Sequence, residues 1–173
     1  SLVSMLDITH FRDHQLTLIL ALVIDRKDVW AQLPCGLGKT LIFAACVLLH
    51  CVDGEGSIGL LIEPLESIIR DATEAFEKLG IIVLELTEET CRDVCTFLKE
   101  GRPSNPTIII GKPKQMVKRS FIKAISFAQR NTNDKWTHDT MPTSPIDVLG
   151  YDEVHCGLWW GVSFLRSWSK IGR

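Results

Sequence analysis

No two of the six cysteines stand as a C-x-x-C pair, so the usual signature of a structural zinc site is missing. Cys35, Cys46, Cys51, Cys91, Cys95 and Cys156 read instead as reduced packing thiols. No apolar run approaches the roughly 20 residues that a bilayer-spanning helix needs. The longest are Leu16 to Ile24 and Leu41 to Leu49, and no membrane partner is expected. Nor is there an excess of positive charge. A formal net charge of -2 with 23% charged residues leaves no overall footprint of a nucleic-acid binder, so any such contact must rest on a local patch. Ser1 to Asp7 lack the basic start and small-residue cleavage site of a secretory signal. An intracellular chain is expected, and the missing initiator Met suggests a trimmed chain or a fragment. With 173 residues there is room for one α/β domain with a good core, not for two of full size.

What is present centres on Leu33-Pro34-Cys35-Gly36-Leu37-Gly38-Lys39-Thr40, which reads as a phosphate-cradling loop. Asp28 to Gln32 before it is short enough for a parallel strand, and Leu41 to Leu49 after it is a helical run. Gly36 and Gly38 let the backbone bend and aim successive N–H groups at a polyphosphate, and the helix N-terminus adds partial positive charge. Lys39 is expected at the β and γ phosphates of ATP, and the Thr40 hydroxyl in the shell of a Mg2+ ion. Leu33 stands where the strict G-x-x-x-x-G-K-[ST] pattern has glycine.

Along the rest of the chain, helical and buried-strand signals alternate. Phe11 to Gln15 open a helix with an apolar face of Leu16, Ile19, Leu20 and Val23. This places Arg12 and Gln15 where they can meet a nucleotide base: an amide offers adenine both a donor and an acceptor, and a guanidinium stacks on a ring. Ile58 to Ile62 read as a strand ending at Glu63-Pro64. The helix after it presents Ile68 or Ile69, Ala72, Phe76 and Leu79 and closes at Gly80. Ile81 to Leu86 are a strand, Thr87 a cap with Glu88 and Glu89 behind it, and Cys91, Val94, Cys95 and Leu98 the inner face of another helix that stops at Gly101. Thr107 to Ile110 form a fourth strand. The segment from Gly111 to Lys123 carries five basic residues and no acid. Lys114 and Lys118, one helical turn apart, are either a phosphate-binding patch, with Lys112 beside them, or a solvated helix face. Asn131 to Pro145 form a polar excursion, and Ile146 to Tyr151 are a last buried strand.

At the end of that strand stand Asp152 and Glu153. In doubly wound sheets ligands bind beyond the carboxyl ends of the strands, which brings Asp152 beside the phosphate loop. One carboxylate can hold Mg2+ through water, and its neighbour can orient or deprotonate an attacking water.

The order Phe11-Arg12-Asp13-His14-Gln15, Pro34 to Thr40, Asp152-Glu153-Val154-His155-Cys156, then Trp160-Gly161 and Phe164 resembles the first RecA-like domain of RecQ-type superfamily 2 DNA helicases. Glu63-Pro64-Leu65 sits where that family has its motif Ia. The resemblance implies an α/β P-loop NTPase domain, a mostly parallel sheet with helices on both faces, filling residues 1–173 and truncated at its C-terminal end. It also implies Mg-ATP hydrolysis coupled to 3'-to-5' movement on single-stranded or partly duplex DNA, and a nuclear rather than cytoplasmic location. Arg12 and Gln15 would lie at adenine, Pro34 to Thr40 at the phosphates, Thr40 and Asp152 at Mg2+, with Glu153 and Lys39 as catalytic groups. His155, Trp160 and Phe164 would couple the nucleotide to DNA, although the aromatic residues equally suit packing under a further domain. Trp159, Val162, Ser163 and Leu165 replace the polar residues usual in that loop, and Lys114 stands where the family has Glu. A second RecA-like domain, absent here, would supply an arginine finger, typically worth on the order of 10³ to 10⁵ in rate. The chain alone is thus expected to be a weak ATPase without unwinding activity. A catalytically inactive scaffold derived from a helicase, or an RNA helicase of the same superfamily, are the competing readings.

Overall fold

A computed structural model describes residues 6, 8–34, 36–51, 55–133 and 145–153. Helix α1 (Asp13–Val23) and helix α2 (Lys39–Leu49) come first. Strands then alternate with helices: β1 (Ile58–Ile62), α3 (Glu66–Lys78), β2 (Ile82–Leu86), α4 (Cys91–Glu100) and β3 (Thr107–Gly111). The short α5 (Pro113–Met116), α6 (Arg119–Asn133) and β4 (Val148–Tyr151) complete the order. The four strands pair in the order β2-β3-β1-β4, every ladder parallel. Parallel strands joined by helical crossovers need cover on both faces. The residue pattern supplies it: β1 and β3 are buried at every position.

The side-chain alternation of these strands divides the core in two. Leu61, Ile108, Ile110 and Val148 pack with Ile19 of α1, Ala44 to Leu48 of α2, and Ile69, Ala72 and Phe76 of α3. On the opposite face Ile58, Leu60, Ile62 and Ile109 meet Val94, Cys95 and Leu98 of α4 and Phe121 and Ala124 of α6. The expected α/β sheet with helices on both faces is therefore present. Each fully buried Ile or Phe here contributes about 1.5–3 kcal/mol relative to exposure.

The expected helix ends mostly hold. Gly80 has φ +75°, and its N–H bonds to the Glu77 carbonyl while that of Ile81 reaches back to Phe76. Thr87 Oγ1 accepts the N–H groups of Glu89 and Thr90, one turn ahead of the regular α4 helix. Cys46, Cys51, Cys91 and Cys95 are free thiols.

Three expectations fail. Asp28 to Gln32 form no strand: Asp28, Trp30, Ala31 and Gln32 are exposed, and only Val29 is half-buried. An apolar run becomes a parallel strand only with a ladder partner and two covered faces, and among the described residues this run has neither. The helix over the basic segment is not continuous. It breaks after Met116 and restarts at Arg119, so Lys114 and Lys118 do not share a helix face. The polar excursion begins later than expected, because α6 runs on to Asn133.

Candidate functional site

The parallel register carries β1, β3 and β4 to a common C-terminal edge. Beyond it the Glu63 N–H donates to the Gly111 carbonyl and the Asp152 N–H to the Ile62 carbonyl. These two bonds place Glu63, Asp152 and Glu153 side by side on the rim. Asp152 Oδ1 accepts the Glu153 N–H at 2.8 Å, which tightens the turn leaving β4. Glu153 itself has φ +52°, a left-handed conformation that costs a residue with a Cβ about 1–2 kcal/mol. Such a cost concentrates at functional turns.

The glycine loop approaches the same rim at the head of α2. Gly36 and Gly38 both have φ near +80°, and at Gly38 a Cβ would also stand 2.4 Å from Gln15 Nε2. The positive φ favours glycine there, and a side chain would in addition displace the Gln15 amide. Immediately after it, Lys39 reaches across 113 positions of sequence. Its Nζ donates to Asp152 Oδ1 at 2.9 Å and lies 3.5 Å from Glu153 Oε1. Burial pulls the Lys39 ammonium toward neutrality, but the hydrogen bond and charge of Asp152, with Glu153 behind it, outweigh that effect and hold its pKa above the ordinary value. Thr40 follows on the first turn, half-buried.

Gln15 is 4% exposed, and its amide is engaged at both ends. Oε1 accepts the Arg12 N–H at 3.0 Å, a return bond of the capping-box kind, and Nε2 donates to the Leu37 carbonyl at 3.1 Å. The base-reading residue expected from the sequence is therefore tied to the phosphate loop, whereas the Arg12 side chain is exposed. Pro34 accepts the Leu37 N–H at 3.4 Å, which closes the loop behind its glycines.

Two residues at this site carried no chemical role from sequence, although Glu63 stands at the position of motif Ia. The His14 ring donates through Nε2 to the same Leu37 carbonyl at 3.3 Å. Glu63 is 1% exposed, and its Oε1 has no hydrogen-bond partner among the described residues. Burial, then the negative charges of Asp152 and Glu153, push its carboxyl up to about 7, against the pull of Lys39 and the Leu65 N–H. Its signal was an acid closing a wholly apolar strand.

The structure brings together Gln15, Gly36 to Thr40, Asp152 and Glu153, as expected. It does not bring the basic segment into the same cluster. Lys112 pairs with Glu66 and Lys118 with Glu88, while Lys114 is exposed. Cys35, His155, Trp160 and Phe164 lie outside the described residues. No group of three His, Cys, Asp or Glu among the described residues is arranged to hold a metal by itself. Thr40 on the first turn of α2 and Asp152 at the rim are nevertheless oxygen donors of the kind that suits Mg2+, which keeps several waters and shares the oxygens of a polyphosphate. Among the described residues, no helix is long and apolar enough to cross a membrane.

A family profile described as DEAD/DEAH box helicase matches residues 12–173. Among curated proteins, the ATP-dependent DNA helicase RecQ of Synechocystis is 24% identical over 163 residues, covering 94% of this chain and 30% of its own. The ATP-dependent DNA helicase Q5 of Rattus norvegicus is 26% identical, covering 89% and 14% respectively. The ATP-dependent DNA helicase hus2/rqh1 of Schizosaccharomyces pombe is 26% identical, covering 94% and 11%. The chain thus spans less than a third of the length of these relatives.

Proposed function

The chain belongs to the DEAD/DEAH box helicase family, and from that premise we propose that it is the Mg-ATP-binding motor half of a RecQ-like DNA helicase working in the 3'-to-5' sense. The observation that carries this reading is the convergence of Lys39 with Asp152 and Glu153, at 2.9 and 3.5 Å, on the C-terminal edge of a parallel sheet. Lys39, with the glycine-loop N–H groups, binds the β and γ phosphates. Thr40 and Asp152 hold Mg2+, which when bound neutralises charge developing on the phosphates. Glu153 orients the attacking water and takes its proton. The three groups already form one electrostatic unit, so polyphosphate exchanges for carboxylate as the partner of the Lys39 ammonium.

Gln15 and Arg12 complete the site on the base side. DNA is gripped elsewhere, through exposed Lys114 and through Lys112 and Lys118 once they leave Glu66 and Glu88. A second RecA-like domain brings the arginine finger and makes hydrolysis fast. By itself the chain binds ATP and hydrolyses it slowly.

A fluorescent ATP analogue titrated with and without Mg2+ tests this reading. Wild type binds in a Mg-dependent way, Lys39→Ala does not, and Glu153→Gln binds but loses the residual turnover. Equal binding by wild type and Lys39→Ala contradicts the nucleotide site and leaves the inactive scaffold as the better account.

A further inference from the structure

Two donors from neighbouring residues converge on one carbonyl of the glycine loop. His14 Nε2 and Gln15 Nε2 lie 3.3 and 3.1 Å from the Leu37 oxygen. That oxygen shares a peptide unit with the Gly38 N–H, and no peptide bond in the described chain is cis. In a trans peptide the C=O and the N–H point in opposite directions. Holding the carbonyl against α1 therefore aims the Gly38 N–H away from α1, and this N–H has no hydrogen-bond partner among the described residues. An anion-binding loop needs its carbonyls turned outward and its amides free, and here a side-chain pair enforces that orientation for one peptide.

The pair also resolves a conflict of duties. Gln15 is the only one of the two whose amide can read both a donor and an acceptor on a base, yet its Nε2 is engaged at Leu37 and its Oε1 at the Arg12 N–H. If Gln15 turns toward adenine, Leu37 loses one donor. His14 sits on the first turn of α1, half-buried, with its own N–H on the same oxygen.

We propose that His14 is a positioning residue of the nucleotide site: it holds the Leu37 carbonyl so that the Gly38 N–H stays aimed at phosphate while Gln15 is released to the base. The inference rests on the nucleotide-binding reading above. One neutral hydrogen bond sets its scale, about 3- to 10-fold in affinity.

Isothermal titration of the 173-residue chain with Mg-ADP and with Mg-pyrophosphate tests it in wild type, His14→Met and His14→Gln. Met keeps the bulk without a donor, and Gln restores an amide at the reach of Nε2. His14→Met weakens both ligands by about 3- to 10-fold, more for ADP, because only a base draws Gln15 away. His14→Gln recovers most of the loss. Unchanged affinity in His14→Met, or a loss that Gln does not recover, overturns the positioning role while wild-type binding leaves the nucleotide site standing. Failure of wild type to bind either ligand overturns the site itself. In wild type labelled with ¹⁵N-glycine, the Gly38 amide resonance shifts on adding Mg-pyrophosphate. A resonance that stays in place while pyrophosphate binds also refutes the inference, whatever the variants do.

Discussion

Glu63 makes the most exacting demand on the proposed electrostatics, and replacing it with Gln tests that demand through stability alone. The carboxyl is 1% exposed, its Oε1 has no hydrogen-bond partner among the described residues, and it faces two further carboxylates. In the folded chain its pKa is pushed up to about 7, against 4.5 for an ordinary Glu. Between those values the folded state holds a proton that the unfolded state has released. Rising pH therefore draws the equilibrium toward the unfolded chain, and the loss is complete once the folded group has also ionised. Below pH 4.5 the contribution is fully present. At 1.36 kcal/mol for each pH unit of displacement, the loss amounts to about 2–4 kcal/mol.

Gln has nearly the same shape, keeps an oxygen for the Leu65 N–H, and cannot ionise. Glu63→Gln and wild type should then be similar near pH 4.5 and diverge through pH 7, the variant being the more stable by about 2–4 kcal/mol at pH 8. For a chain of this size the gain corresponds to roughly 4–16 °C in Tm. Urea denaturation followed by circular dichroism at pH 5, 6, 7 and 8 measures it, and groups common to both proteins cancel in the difference. A stability difference that stays constant across this range would falsify the buried, proton-holding carboxyl. So would a difference of the opposite sign at pH 8.

The phosphate loop and the far end of the sheet offer two further checks. Gly36→Ala meets only the positive φ, at about 1–2 kcal/mol, whereas Gly38→Ala also drives a Cβ to within 2.4 Å of Gln15 Nε2. Gly38→Ala should therefore cost more stability and, unlike Gly36→Ala, release Gln15 from Leu37. Equal losses in thermal denaturation would show that Gln15 yields freely. At the opposite edge of the sheet Arg102 grips Asp147 through two bonds at 2.8 and 2.7 Å, and Asp147 Oδ2 also accepts the Ile58 N–H at 2.9 Å. Asp147→Ala removes all three, so it should destabilise the chain by about 2–4 kcal/mol while leaving Mg-dependent nucleotide binding intact at temperatures well below unfolding. An effect on nucleotide affinity without loss of stability would refute a purely structural role for this clasp.

The legible part of this chain is the part written in repetition or in a fixed motif. The inner face of α3, Ile69, Ala72 and Phe76, follows from helical periodicity, and β1 and β3 follow from unbroken apolar runs. Lys39 stands where a glycine loop meets a helix and Asp152 where a strand meets a turn, so their meeting could be anticipated across a long interval. Asp28 to Gln32 had the composition of a strand, but composition does not supply a neighbour to pair with. The break between α5 and α6 was missed because the charge pattern runs on across Val117 and Lys118 while the backbone does not. Glu63 and His14 stood within recognised stretches, but their individual roles were silent for another reason. Each is a single residue whose role exists only where separate elements meet, and no periodicity along the chain encodes that meeting.

How α2 delivers Lys39 to the rim depends on two glycines outside the phosphate loop. Gly59 of β1 and Gly150 of β4 lie on the sheet face that α2 covers. A Cβ at Gly59 would come within 2.6 Å of Val47 Cγ2, and one at Gly150 within 2.6 Å of the Phe43 ring. Phe43 packs in turn at 6.1 Å, centroid to centroid, from Phe76 of α3. The flat patch in the sheet lets α2 settle by the width of a methyl group, with Phe43 in the depression and its N-terminal turn carried toward β4. Lys39 stands one turn ahead of Phe43 on that helix, in a 2.9 Å contact with Asp152. A helix lifted by one added methyl would carry the Lys39 backbone away from the rim, and its flexible stem would have to extend to keep that contact. The geometry of the candidate site is therefore fixed partly by what two strand residues lack, which is why the glycines of the sheet belong to the functional argument as much as those of the loop.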